Sequence, residues 1–118
     1  MNKNENWYNQ KLGKALRAYF EPRGGRVFKH NDFYTTGVPD FSITYLGKTT
    51  WLECKVAPNS PTALQQDSLR RAAPHAYVVI YTRDAADTVE IFRCYDEKWL
   101  AASGVEDAVN LLIKEITR

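Results

Sequence analysis

The stretch "AYVVIYT", residues 76–82, constrains this chain more than any other. It is a nearly continuous apolar run, rich in β-branched and aromatic residues and too short for a core helix. It reads as a strand buried on both faces. A strand of that kind belongs inside a sheet that has cover on each side, so the expected architecture is α/β.

The periodic segments supply that cover. "ENWYNQKLGKALRAYF" places Tyr8, Leu12, Ala15, Leu16 and Tyr19 on one helical face and stops before Pro22, with Gly24-Gly25 as the turn. "TALQQDSLRRAA" is a short helix with Pro61 set for its first turn. "VEDAVNLLIKEI" is amphipathic through Val105, Val109, Leu112, Ile113 and Ile116. Between the helices, "GRVFKHNDFY" reads as a strand rich in aromatic and basic residues. "DFSITYL" alternates, with Phe41, Ile43 and Tyr45 on one face and Asp40, Ser42 and Thr44 on the other. Gly47-Lys48 turns into "TTWLECKV", where Leu52, Cys54 and Val56 should face the core and Trp51, Glu53 and Lys55 the opposite side. "TVEIFRCY" is a further strand. The expected order is helix, three strands, helix, strand, strand, helix: a mixed sheet flanked by helices in one domain spanning residues 1–118.

At 118 residues, 44% hydrophobic and 25% charged, the chain has room for one core. No apolar run reaches the length of a membrane span and no charged-then-apolar leader opens the chain, so the expected location is cytosolic or nucleoid-associated. Cys54 and Cys94 fall inside strands without metal-ligand spacing and read as free thiols. The net charge of +2 is unevenly spread. Residues 1–83 carry 12 Lys/Arg against 6 Asp/Glu, whereas residues 84–118 carry 4 against 8. A phosphate-bearing partner would prefer the first part.

That basic part also carries Asp40, Glu53 and Lys55 on the polar faces of two consecutive strands. Two carboxylates brought together repel unless a cation lies between them. Hard oxygen ligands with open positions suit Mg²⁺, and a lysine two residues past the glutamate can orient or help deprotonate a water, or hold charge on a phosphate. The competing reading is a plain solvated strand face, on which Glu-x-Lys and Pro-Asp mean nothing beyond composition and turn formation.

"GVPDF", then "WLECK", then "PTALQ" heading a helix together resemble the PD-(D/E)xK nuclease superfamily, and most nearly its small virus-type replication-repair nucleases, relatives of Holliday junction resolvases. The resemblance covers about residues 5–82 and implies a restriction-endonuclease-like core. It implies Asp40 and Glu53 as metal ligands, the backbone carbonyl of Cys54 as a third, and Lys55 as the catalytic lysine. Gln65 matches the glutamine that opens the next helix and faces the active site, yet Thr62-x-x-Gln65 is also a capping box. Glu5 matches the first-helix glutamate, yet acidic residues are ordinary at helix N-termini. Lys29 matches a basic residue on the strand before Pro-Asp, and Arg70 and Arg71 could touch DNA backbone; each has a solvated reading beside it. His30 and His75 read as ordinary surface or edge histidines.

The function implied is a Mg²⁺-dependent (or Mn²⁺-dependent) DNA endonuclease in replication, recombination or repair. It would be selective for branched DNA rather than sequence, since base readout needs an element placed in a groove. Junction resolution would call for a homodimer, with Phe33, Tyr34 and Trp99 as interface candidates. The alternative is a non-catalytic nucleic-acid-binding or interaction domain on the same fold.

Overall fold

The computed structural model describes residues 3–30, 38–72 and 75–118. Helix α1 (Glu5–Phe20) runs into a 3-10 turn (Glu21–Arg23) and is followed by β1 (Arg26–Lys29), β2 (Phe41–Tyr45) and β3 (Lys48–Val56). Then come α2 (Ala63–Ala72), β4 (Ala76–Tyr81), β5 (Thr88–Arg93), β6 (Lys98–Ser103) and α3 (Val105–Thr117). The strands form one six-stranded sheet in sequence order, antiparallel throughout except for the parallel β3–β4 pair. A mixed α/β sheet flanked by helices is the architecture expected. The parallel pair needs a crossover, and α2 supplies it.

Alternation along β3 and β4 sorts the two layers. Leu52, Cys54 and Val56 pack with Tyr77, Val79 and Tyr81 in the larger core, beneath Leu12, Leu16 and Phe20 of α1 and Val109, Leu112 and Ile116 of α3. The opposite face carries Ala76 and Val78 under Leu69 of α2, with Trp51, Ala72, Ile80, Phe92 and Cys94 packed around them. β4 is thus covered on both sides, as its composition requires. Gly13 lets α1 lie close on the sheet, since a Cβ there would come within 3.1 Å of the Phe41 ring.

Three details depart from the sequence reading. β6 was not expected. The β2–β3 hairpin turns at Leu46-Gly47 rather than Gly47-Lys48, because Tyr45 pairs with Lys48; both turn residues have positive φ, 52° and 78°, as a two-residue type I′ loop demands. α2 starts at Ala63, so Pro61 precedes the capping Thr62 instead of occupying the first turn. Residues 31–37, which include Phe33, Tyr34 and the Gly37 of "GVPDF", lie outside the described residues.

Candidate active site

β2 and β3 bring the sequence-predicted carboxylates together. Phe41 pairs with Leu52, so Asp40 stands next in line to Glu53. The Cys54 backbone N–H donates to Asp40 Oδ2 at 2.8 Å, tying the start of β2 to the middle of β3. Glu53 is not on a solvated strand face: its side chain is 1% exposed. Its nearest counter-charge is Lys55 Nζ, 3.4 Å from Oε2. Among the described residues, neither Glu53 oxygen accepts a well-aligned hydrogen bond.

Two effects act on this carboxylate. Burial, followed by the charge of Asp40, pushes its pKa up from 4.5 to about 7, against the opposing pull of Lys55. Glu5, in the first turn of α1, is also raised, chiefly by burial and then by Asp40, with Lys55 and Lys29 lowering it. Glu5, Lys29, Asp40, Glu53 and Lys55 therefore share one electrostatic neighbourhood made by α1, β1, β2 and β3. Glu5 is not the helix cap; Asn4 takes that role, accepting from the Trp7 N–H at 3.0 Å. Lys29 lies over the Phe41 ring at 5.2 Å, which makes it half-buried rather than a free strand charge.

The Cys54 thiol is buried in the core, and burial followed by the charge of Asp40 raises its pKa well above the usual thiol value. It is inert as a nucleophile, in keeping with a core role. Cys94 is also free, half-buried and raised by burial to about 11.

Other predicted residues are not drawn into the cluster. Gln65 closes the capping box: its Oε1 accepts from the Thr62 N–H at 2.9 Å while its own N–H donates to Thr62 Oγ1 at 3.2 Å. The helix-capping reading of Gln65 is the one its hydrogen bonds follow, because the i,i+3 geometry satisfies two backbone donors locally. Arg70 and Arg71 are exposed on α2 and both pair with Asp67, at 3.6 and 3.0 Å. His30 hydrogen-bonds Ser42 Oγ at 2.8 Å and stacks on Trp51, while His75 is exposed. Trp99 is 56% exposed on β6.

The sequence reading missed two buried polar groups. Among the described residues, Asn9 Oδ1, one turn after Glu5, and the Tyr81 hydroxyl are both buried without a well-aligned hydrogen-bond partner. Burial, followed by the Cys54 thiol and then the charge of Asp40, raises the Tyr81 pKa well above the usual phenol value. An asparagine four residues beyond Glu5 was the only signal available for Asn9.

Among the described residues, no three His, Cys, Asp or Glu side chains form a ready metal cage. The fit to a divalent cation rests instead on two carboxylates and main chain. A buried carboxylate that shares a single neighbouring lysine with a second carboxylate is incompletely neutralised. Among the described residues, no helix is long and apolar enough to cross a membrane. In comparison with known proteins, the chain matches no family model, and no curated protein matches it significantly.

Proposed function

We propose that this chain is a divalent-metal-dependent nuclease of the PD-(D/E)xK type that hydrolyses phosphodiester bonds in DNA. The observation that carries this reading is the Glu53 carboxylate: buried, without a well-aligned hydrogen-bond donor among the described residues, opposite Asp40 and ion-paired with Lys55. Structural ion pairs are more economically built by satisfying both oxygens, and strongly perturbed carboxylates cluster at functional sites.

Asp40, Glu53 and the Cys54 main-chain carbonyl would hold Mg²⁺ or Mn²⁺, with Glu5 at the margin. When bound, such an ion supplies a Lewis acid that balances charge on the scissile phosphate and favours ionisation of the attacking water. The chain's own residues have distinct parts. Lys55, 15% exposed, is held beside Glu53 where its ammonium can orient the water or neutralise a developing phosphate charge. Lys29 adds positive charge to a neighbourhood that otherwise holds three carboxylates and Lys55. Asp40 is fixed by its Cys54 N–H bond, so it is pre-oriented.

The test is cleavage of a labelled four-way DNA junction, alongside linear duplex and single strand, with Mg²⁺, with EDTA, and with Glu53→Gln. Metal-dependent cutting by the wild type that disappears in the variant is the expected result, with the junction cut in preference to duplex. Cutting that persists in Glu53→Gln removes this assignment. Binding of DNA without any cutting selects the non-catalytic domain.

A further inference from the structure

The sheet register carries the α2-side face beyond the carboxylates. Glu53 pairs with Val78, Val78 with Phe92, and Phe92 with Trp99. Paired residues point to the same side, so these four side chains form a row across β3 to β6. α2 packs on β3 and β4, leaving the β5–β6 part of this face open. There a cavity of about 460 Å³ is floored by Val78, Ile80 and Phe92, with Leu69 of α2 on one wall and Trp99 on the other. Its polar side chains are few: Ser60 before α2, Gln66 and Arg70 from α2, and Glu97.

Building on the nucleic-acid reading above, we propose that this groove takes an unpaired nucleobase of the substrate, stacked on Trp99. Trp99 tilts against Phe92 with ring centroids 4.9 Å apart, which fixes the indole while leaving it more than half exposed. An exposed, braced aromatic ring is a stacking platform for any base. The polar groups match the rest of a nucleotide. Gln66, whose Nε2 donates to the Pro61 carbonyl at 3.0 Å, can accept on its Oε1 from a base edge, and Glu97 can accept from an exocyclic amine. Arg70 at the rim has its side chain 73% exposed and is paired with Asp67 only at 3.6 Å, a pairing that a phosphate can replace. The size also selects the occupant. The volume suits one nucleotide, whereas a stable protein partner needs about 800 Å² on each side. Three inter-strand steps of about 4.8 Å put Trp99 roughly 14 Å from Glu53 across the sheet. That is the rise of about four stacked nucleotides, with α2 packed on the β3–β4 part of the face between the two places.

The experiment measures fluorescence anisotropy of labelled DNA in EDTA, comparing a duplex bearing a single-stranded tail with the same duplex blunt-ended. Wild type, Trp99→Ala and Trp99→Phe are compared, each checked by thermal melting. Trp99→Ala should weaken binding of the tailed duplex about tenfold and blunt duplex less than twofold, with Trp99→Phe retaining most of the affinity. Equal losses on both DNAs, or no loss on the tailed one, overturn the proposal. So does a change of oligomeric state in Trp99→Ala by sedimentation, which would mean that a second copy covers the groove. If the wild type cuts no DNA with Mg²⁺ yet binds tails through Trp99, the nuclease reading fails and the groove stands.

Discussion

Glu53→Gln should make the metal-free protein more stable at alkaline pH, because the native carboxylate is held where its charge is poorly solvated. Its pKa rises from 4.5 to about 7 on folding. At about 1.36 kcal/mol per pH unit, the ionised form costs the native state about 3 kcal/mol. The sign follows from which state binds the proton more tightly. The folded protein does, so Glu53 contributes its full stability below about pH 4.5. That contribution is lost progressively as the pH rises through the window up to about 7, and the loss is constant above it. Glutamine cannot ionise and escapes the loss. In EDTA at pH 8 the variant should therefore exceed wild type by up to about 3 kcal/mol, roughly 10 °C in Tm for a domain near this size.

Urea unfolding of both proteins across pH 4–9 measures the difference directly, since every other titrating group cancels to first order. Mg²⁺ supplies the second half of the test. At pH 8 it should raise the stability of the wild type by mass action, and leave Glu53→Gln unchanged. A wild-type-minus-variant difference that stays flat with pH would refute the buried-charge argument. Equal stabilisation of both proteins by Mg²⁺ would refute the assignment of Glu53 as a ligand.

Three further outcomes can be checked on the same samples. Asp40→Asn keeps an acceptor for the Cys54 N–H but removes a charge that raises Glu53; the pH window of lost stability should move to lower pH in urea titrations, and the Mg²⁺ response should vanish. Gln65→Ala removes one half of the capping box and should lower stability by about 1 kcal/mol; a fall in cleavage beyond the unfolded fraction would return Gln65 to the active site. Leu46, 85% exposed at φ 52°, is a poor occupant of the left-handed region, so Leu46→Asn should raise the unfolding free energy by about 1 kcal/mol.

Most of the fold is legible because local pattern and tertiary demand agree. α1 and α3 carry strong apolar stripes, and β4 has no polar side for solvent to claim. β6 is different. In "KWLAAS" only Ala102 is buried and Leu100 half-buried, while Trp99 on the other face stays exposed. An edge strand contributes so little apolar side chain that no period emerges from its six residues. The hairpin turn was misplaced for a related reason. Glycine supplies positive φ freely and leucine does not, yet the register of β2 against β3 imposes that conformation on Leu46 anyway. Gln65 shows a third case. Its two readings were equally written in "PTALQ", and only coordinates show which hydrogen bonds form.

The burial of Glu53 could not be read from alternation, which distinguishes two faces but cannot tell which is wet. α2, ten residues further along, covers the face that Glu53 shares with Trp51 and Lys55. What the alternation does fix is the register, and the register builds the candidate site. Leu52, Cys54 and Val56 are locked into the larger core, so Glu53 and Lys55 must point the other way. A slip of one residue would bury the lysine and glutamate against α1 and α3 and put three apolar side chains in their place. The Asp40–Cys54 hydrogen bond holds the neighbouring strand in step. The same apolar residues thus stabilise the sheet and force two opposite charges, plus Asp40, into a poorly solvated pocket. A cost of about 3 kcal/mol for ionising Glu53 is a substantial part of the 5–15 kcal/mol typical of a folded domain. A cation held between Asp40 and Glu53 would offset that cost, coupling occupancy of the site to the stability of the whole sheet.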